Sequence, residues 1–289
     1  MHWQADFYRR PLQDASGNPI WELVVCDAEG KFTASAFCSQ SEADSNWIAA
    51  QLQQWILQEK PDSPEGGTAP LCLQVFRPQS VSLILAAAEK LGITVEQTRS
   101  TPALKQLLIQ KATEYHTLPS YTNQPYDPVT LDRPAPLPLP ENLWGDRWRF
   151  AAISAGDIVS ALIDRPIPIR EMPEALFPIH LQLPSTLPVP GVIIDGGRQS
   201  MNLARWLQRS RPVFLHSIPG QPDGLILEAG LVERWVLTTF EDPDVVQAAK
   251  TFRDRQAQAK GLHFLLVQPD DSGMTYTGFW LLQSELPSQ

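Results

Sequence analysis

Positive charge is in short supply. Against 32 Asp and Glu stand 23 Lys and Arg, a formal net charge of −9 over 289 residues. Such a chain does not coat nucleic acid by bulk electrostatics; any phosphate contact must come from a local concentration of basic side chains. Cysteine is scarce as well. Cys26, Cys38 and Cys72 are odd in number and lack CxxC spacing, which argues against a disulfide framework and a thiolate metal site. They read as buried thiols of a reducing compartment. His2, His116, His180, His216 and His263 form no HxxxH or HExxH pattern, so no metal is expected. No apolar run is long enough to span a bilayer. The opening "MHWQADFYRRPL" lacks the basic-then-apolar order of a leader, and the expected location is cytoplasmic.

Proline, by contrast, is abundant at 27 residues, and it marks the organisation. The length favours two domains. The stretch "TLPSYTNQPYDPVTLDRPAPLPLPEN" forbids helix and central strand and favours an extended chain. The division expected is a first domain over 1–117, a semi-rigid linker over 118–142 and a second domain over 143–289.

Before the linker, "QADFYRRPL", "IWELVVCD" and "FTASAFC" read as strands joined by short turns, an antiparallel meander. A helix follows, with Ser41 as expected N-cap and Asp44 three residues on. Then come the strand "LCLQVF", a helix closed by Gly92, the strand "ITVEQTR" and a helix opened by Pro102. Three antiparallel strands followed by αβαβα is the chain order of the ribonuclease H-like fold. Nuclease chemistry there needs converging carboxylates to hold two metal ions. Asp6 on the first strand and Glu42 or Asp44 near the first helix could serve. The fourth strand, however, ends in Arg77 and Pro78, with no acid. The cage is incomplete, and the domain reads as a catalytically silent scaffold.

After the linker the pattern is strand-rich α+β. "PGVIIDGG" and the helix "RQSMNLARWLQRSR" precede the strands "PVFLHSIP", "GLILEAG" and "ERWVLTTF". A helix capped by Asp242 and the hairpin "LHFLLVQP"/"TYTGFWLLQ" close the chain. Residues 156–178, broken by proline, read as irregular. "IDGG" lacks GxGxxG, so no dinucleotide cofactor is implied, and Asp195 reads as a turn residue.

The segment 198–211 is the strongest charge anomaly. Arg198, Arg205, Arg209 and Arg211 occur there with no acid among them. Arg198, Asn202, Arg205 and Arg209 share one helix face by spacing, and Trp206 lies beside it. Arginine gives bidentate phosphate contacts and stacks on bases, and the helix start at Gly196 and Gly197 would offer N–H groups to a phosphate. A solvated polar face is the alternative. Arg and Trp also adjoin in "WGDRWRF" and "ERWVL", the mixture that holds single-stranded RNA, although each Trp alone suits a core.

"DFYRRPL", "GNPIWELVVCD", "VIIDGGRQS", "ARWLQ", "GLILEAG", "RWVL", "GLHFLLVQPD" and "TGFWLLQ" together resemble the Tab two-like family of cyanobacteria and chloroplasts. The resemblance implies an RNA-binding factor, without catalytic activity, for translation of photosystem I reaction-centre messages of the psaB type. It implies a single-stranded mRNA leader as partner, with translation or photosystem assembly proteins as further candidates. A place at the thylakoid membrane surface would be compatible. The family's near-terminal Trp-Leu-Leu, associated with RNA binding, corresponds to Trp280, Leu281 and Leu282. Strand alternation puts Trp280 and Leu282 on one face and Leu281 on the other, both apolar, as in a doubly covered strand. Only Trp280 has the chemistry to stack on a base. The alternatives to an RNA-binding factor are a protein-interaction scaffold and a metal-dependent nuclease using Asp6, Glu42 and Asp44.

Overall fold

The structure, a computed structural model, describes residues 2–58 and 70–284. Its three sheets are mixed, and six α-helices are present among the described residues. The chain forms two units, Met1–Asp132 and Arg133–Gln289. None of the described helices is long and apolar enough to cross a membrane.

The first unit runs β1 (His2–Gln13), β2 (Pro19–Asp27), β3 (Thr33–Ser39), α1 (Ser45–Gln58), β4 (Cys72–Val75), α2 (Pro78–Lys90), β5 (Thr94–Gln97) and α3 (Pro102–Tyr115). The expected order of strands and helices is therefore present. The sheet order is β3-β2-β1-β4-β5, antiparallel through the meander and parallel from β1 to β4 and β5. Turn chemistry makes the meander: Asp14 Oδ1 accepts from the N–H of Ser16 and Asn18, and Asp27 does the same for Glu29 and Lys31. The cap of α1 is Asp44, which accepts from the N–H of Asn46 and Trp47, rather than Ser41.

Alternation along β1 assigns its two faces. Trp3, Ala5 and Phe7 point to α1 and α2, packing with Ile48, Leu52, Ile84 and Ala87. The opposite face carries Val24, Cys26 and Phe76 beneath Leu104 and Leu108 of α3. Gln4 and Asp6 share that face, and the Gln4 side chain accepts from the Leu104 N–H. Burial, then the neighbouring Asp27, pushes the Cys26 thiol up to about 12, which suits an inert core residue.

The proline-rich segment expected as a linker is shared by the units. Ser120 and Thr122 hydrogen-bond to Gln13 and Pro11 at the end of β1, while Val129 and Leu131 pack under α3. Its second part enters the other unit as β6 (Leu137–Pro138), followed by the buried Leu139 and Leu143. Proline suits this short edge strand, because an edge leaves one side without ladder bonds.

The second unit continues with β7 (Arg147–Ser154), α4 (Ala155–Leu162), β8 (Ile169–Glu171), β9 (Pro188–Asp195) and α5 (Ser200–Ser210). Then come β10 (Pro212–Ile218), β11 (Asp223–Ala229), β12 (Glu233–Phe240), α6 (Pro243–Gln258), β13 (Leu262–Gln268) and β14 (Gly278–Gln283). One sheet has the order β10-β11-β12-β6 and the other β7-β9-β13-β14-β8. The region expected to be irregular contains α4, whose Ala155, Ile158 and Leu162 cover one face of the second sheet. The other face packs against α5, α6 and the first sheet through Val192, Leu203, Leu207, Leu215, Leu265 and Trp280. The second sheet is thus covered on both sides, and every residue of β13 is buried.

His263 of β13 is fully buried, and its polar contacts fix its tautomer. Nε2 accepts the Leu215 N–H at 2.8 Å, so the proton sits on Nδ1, which donates to the Gly261 carbonyl at 2.8 Å. A second proton on Nε2 would face an N–H. Burial is the main force that lowers the His263 pKa from 6.5 to about 4. The folded state therefore binds fewer protons than the unfolded state between pH 6.5 and 4. Stability from this group is complete above pH 6.5 and declines as pH falls, by about 3 kcal/mol at pH 4. Chemical denaturation across that pH range should show the decline, and His263→Gln should flatten it.

Candidate nucleic-acid interface

In the first unit the candidate nuclease carboxylates do not converge. Asp6 is buried between two guanidinium groups: Arg10 donates to Oδ2 at 2.9 Å, and Arg77 Nε to Oδ1 at 2.8 Å. Arg77 occupies the strand end where a metal cage would need an acid. It also donates to the carbonyls of Pro128 and Thr130 and lies 4.2 Å from the centre of the Tyr8 ring. Arg10 continues the network to the buried Glu22 at 3.0 Å, which also receives Lys111 at 2.9 Å and the Tyr115 hydroxyl. Burial works against the Arg10 charge, but Asp6, Tyr126, Tyr115 and Glu22 outweigh it and hold its pKa above the ordinary value. Glu42 is exposed and accepts from Ser39, which lowers its pKa; Asp44 is the α1 cap. A cation at Asp6 would have to displace both arginines.

One ligand-like group escaped the sequence reading. His2, Cys72 and Glu96 lie on three neighbouring strands with ligand atoms within 4.8 Å of one another. Gln74 donates to Glu96 at 2.9 Å. Residues this far apart in sequence form no spacing motif; only the parallel pairing of β1, β4 and β5 joins them.

In the second unit, α5 buries Leu203, Ala204 and Leu207 and turns Asn202, Arg205 and Arg209 outward. Arg198 is also exposed but belongs to the short 3-10 turn Gly197–Gln199, so the helix starts later than expected. Among the described residues no acidic side chain forms an ion pair with Arg198, Arg205 or Arg209. Arg211 ends the helix in the left-handed conformation, φ 54°, returning its N–H to Leu207 and Gln208. Trp206 is half-buried, edge-on to Trp235 at 5.2 Å. The N–H groups of Gly196 and Gly197 do not form the expected phosphate cradle. They donate to the carbonyls of Gln268 and Pro269 at 2.8 and 3.0 Å. Asp195 is a strut rather than a simple turn residue, receiving Arg149 at 2.8 Å and Gln268 at 2.7 Å.

Comparisons with known proteins place both units in one family. Residues 126–283 match the model of the RNA-binding protein Tab2/Atab2 C-terminal domain, and residues 2–111 match the N-terminal model. The chain belongs to the Tab2/Atab2 family of RNA-binding proteins. A chloroplastic TAB2 homolog of Zea mays is 28% identical over 285 residues, 97% of this chain and 70% of the maize protein. One from Arabidopsis thaliana is 27% identical, covering 97% of this chain and 74% of its own length.

For this Tab2/Atab2 member, the terminal Trp-Leu-Leu is interior. Trp280 is 0% exposed, Leu281 2% and Leu282 5%. Trp280 and Leu282 join the core shared by the two sheets, and Leu281 joins the core under α4. The ring of Trp280 has no open face for a base, because β14 is covered from both sides.

Two expected outcomes follow from these environments. Trp280→Ala should cost about 3–5 kcal/mol of stability, measured by denaturant unfolding, through the cavity it leaves. Arg77→Met should cost about 3–5 kcal/mol by stranding part of the Asp6 charge, and adding Asp6→Asn should recover part of that loss.

Proposed function

We propose that this chain is an RNA-binding translation factor acting on a photosystem I reaction-centre message of the psaB type. The carrying observation is the set of exposed, acid-free arginines Arg198, Arg205 and Arg209 on a unit matched by an RNA-binding family model. Phosphates of a single-stranded leader bind along this face, with Arg211 at its far end and Trp206 beside it. Guanidinium groups suit the task through planar, paired donors and weak hydration. A chain of net charge −9 can do this because contacts at the site are set by local rather than total charge. Trp280, Leu281 and Leu282 act indirectly: they hold the sheet on which α5 rests.

The first unit we propose to be a ribonuclease H-like scaffold. Support comes from its strand order β3-β2-β1-β4-β5, with β2 antiparallel to its neighbours and β4 and β5 parallel to β1. The pairing of Asp6 with Arg10 and Arg77 supports a non-catalytic role.

Arg205→Glu with Arg209→Glu, in protein shown to be folded, should weaken binding of a labelled psaB leader more than tenfold. The slope of log affinity against log salt should become shallower by about 1.4, the value for two lost phosphate contacts on a single strand. Unchanged affinity would place the site elsewhere. Sequencing of RNA crosslinked to the protein in its own cell should enrich that leader; a spread over unrelated messages would refute the psaB assignment.

A further inference from the structure

We propose that the cavity between the two sheets of the second unit is a nucleobase pocket, with Trp144 as the stacking platform at its mouth. The proposal rests on the RNA-binding reading and adds to the arginine face a place for one base.

The cavity measures about 380 Å³, within the range of about 300–1,000 Å³ typical of small-ligand sites. Its inner wall is apolar, formed by Leu139, Leu143, Val192, Ile194, Leu203 and Leu225. Trp144 lies at the rim and is 58% exposed, in contrast to the buried Trp280. Its indole N–H donates to the Leu139 carbonyl at 2.9 Å, so the ring is anchored at its edge while much of its surface remains open. The rim itself is fixed. A Cβ on Gly145 would lie 2.6 Å from Ile194 Cγ2 and 2.9 Å from the Asp195 carbonyl oxygen, a closeness that only glycine permits. The next residue, Asp146, donates its N–H to that same carbonyl at 2.8 Å. An anchored ring loses little freedom when a base stacks on it.

The polar groups complete the match. β6 pairs with β12 only at Trp235 and Val236, while β12 runs on to Phe240. Leu237, Thr238 and Thr239 therefore line the cavity with a strand edge that no described strand covers. An uncovered edge offers backbone donors and acceptors to the polar rim of a base, whose faces need only apolar contact. At the mouth, the Arg147 side chain is 77% exposed, and its ion pair with the exposed Asp271 is long, at 3.9 Å. Arg198 is close to the same rim: its neighbour Gly197 packs so near Asp146 that a Cβ would lie 2.2 Å from the carboxylate. Arg147 and Arg198, with Asp146 and Asp271 beside them, suit the phosphates on either side of an inserted base; Arg149 is engaged with Asp195. This arrangement also joins the pocket to the start of the α5 arginine face.

The test uses the full chain and the 12-nucleotide homopolymers of A, U and C, with binding followed by anisotropy and contacts mapped by ultraviolet crosslinking. Trp144→Ala removes the platform. Thr238→Phe fills the cavity without altering charge and suits a strand position. Each should weaken the best-bound homopolymer by roughly five- to 150-fold, the range for one base stack, without changing the salt slope. Crosslinks should fall in the peptide spanning residues 139–148. If both folded variants bind as the parent does while Arg205→Glu/Arg209→Glu loses binding, the pocket proposal is overturned and the RNA reading stands. If Thr238→Phe instead releases a protein partner with RNA affinity intact, the pocket is a protein-docking site and the proposal is likewise overturned. Absence of RNA binding in the parent protein overturns both.

Discussion

Double coverage of the sheet β7-β9-β13-β14-β8 constrains the rest of the second unit. A strand with protein on both faces must be apolar at every position, because a buried polar side chain without a partner costs free energy. "LHFLLVQ" and "GFWLLQ" meet this demand almost without exception, and the polar residues they admit are bonded. His263 bridges β10 and the start of β13, and Gln268 braces Asp195. Charges unable to enter that sheet collect around it, on the outer face of α5 and on the segment crossing the end of β9. Those are the places where the proposed phosphate contacts lie. Trp280, Leu281 and Leu282 fit this arrangement as part of the support beneath α5.

The first unit solves its charge problem in the opposite way, by internalising it. Asp6 and Glu22 are buried on the α3 side of the sheet, held by Arg10, Arg77, Lys111 and Tyr115. Such a network is strongly destabilised by losing one member, yet an apolar replacement of the whole can be as stable. Its geometric effect is to tie three separate segments together: the end of β1, the β4–α2 junction and the returning chain at Tyr126–Thr130. The proline-rich return is thereby fastened to the sheet, although its sequence alone suggests a free spacer.

What could be read in the sequence depended on how local the physics is. The alternation in "TGFWLLQ" located both faces of β14 correctly, because period two is a property of a single strand. The acid-free end of β4 was equally plain, since it needed only the identity of Arg77. Its pairing with Asp6, 71 residues away, was not legible. Nor was the engagement of Gly196 and Gly197 by the end of β13, which removes donors that a helix start would otherwise offer. The helix α4 was hidden by nearby prolines, although Ile158 and Leu162 carry its spacing. Ser41 lost the capping role to Asp44 because the chain makes a further turn at Ser39 and Glu42 before the helix starts.

The contrast between Trp144 and Trp280 shows how far residue type can carry a functional reading. Both are large amphipathic rings, and both occur in segments whose sequence alone suggests RNA contact. Trp280 sits where β13 and β9 bring apolar neighbours to both sides of its strand, so its contribution is packing. Trp144 follows β6, a strand only two residues long, and projects where the sheet β10-β11-β12-β6 runs out. The same shortness leaves the β12 edge open and puts the tryptophan at the mouth of the cavity. The local end of a sheet, rather than any concentration of tryptophan in the sequence, is what separates a ring able to meet a base from a ring that holds the core.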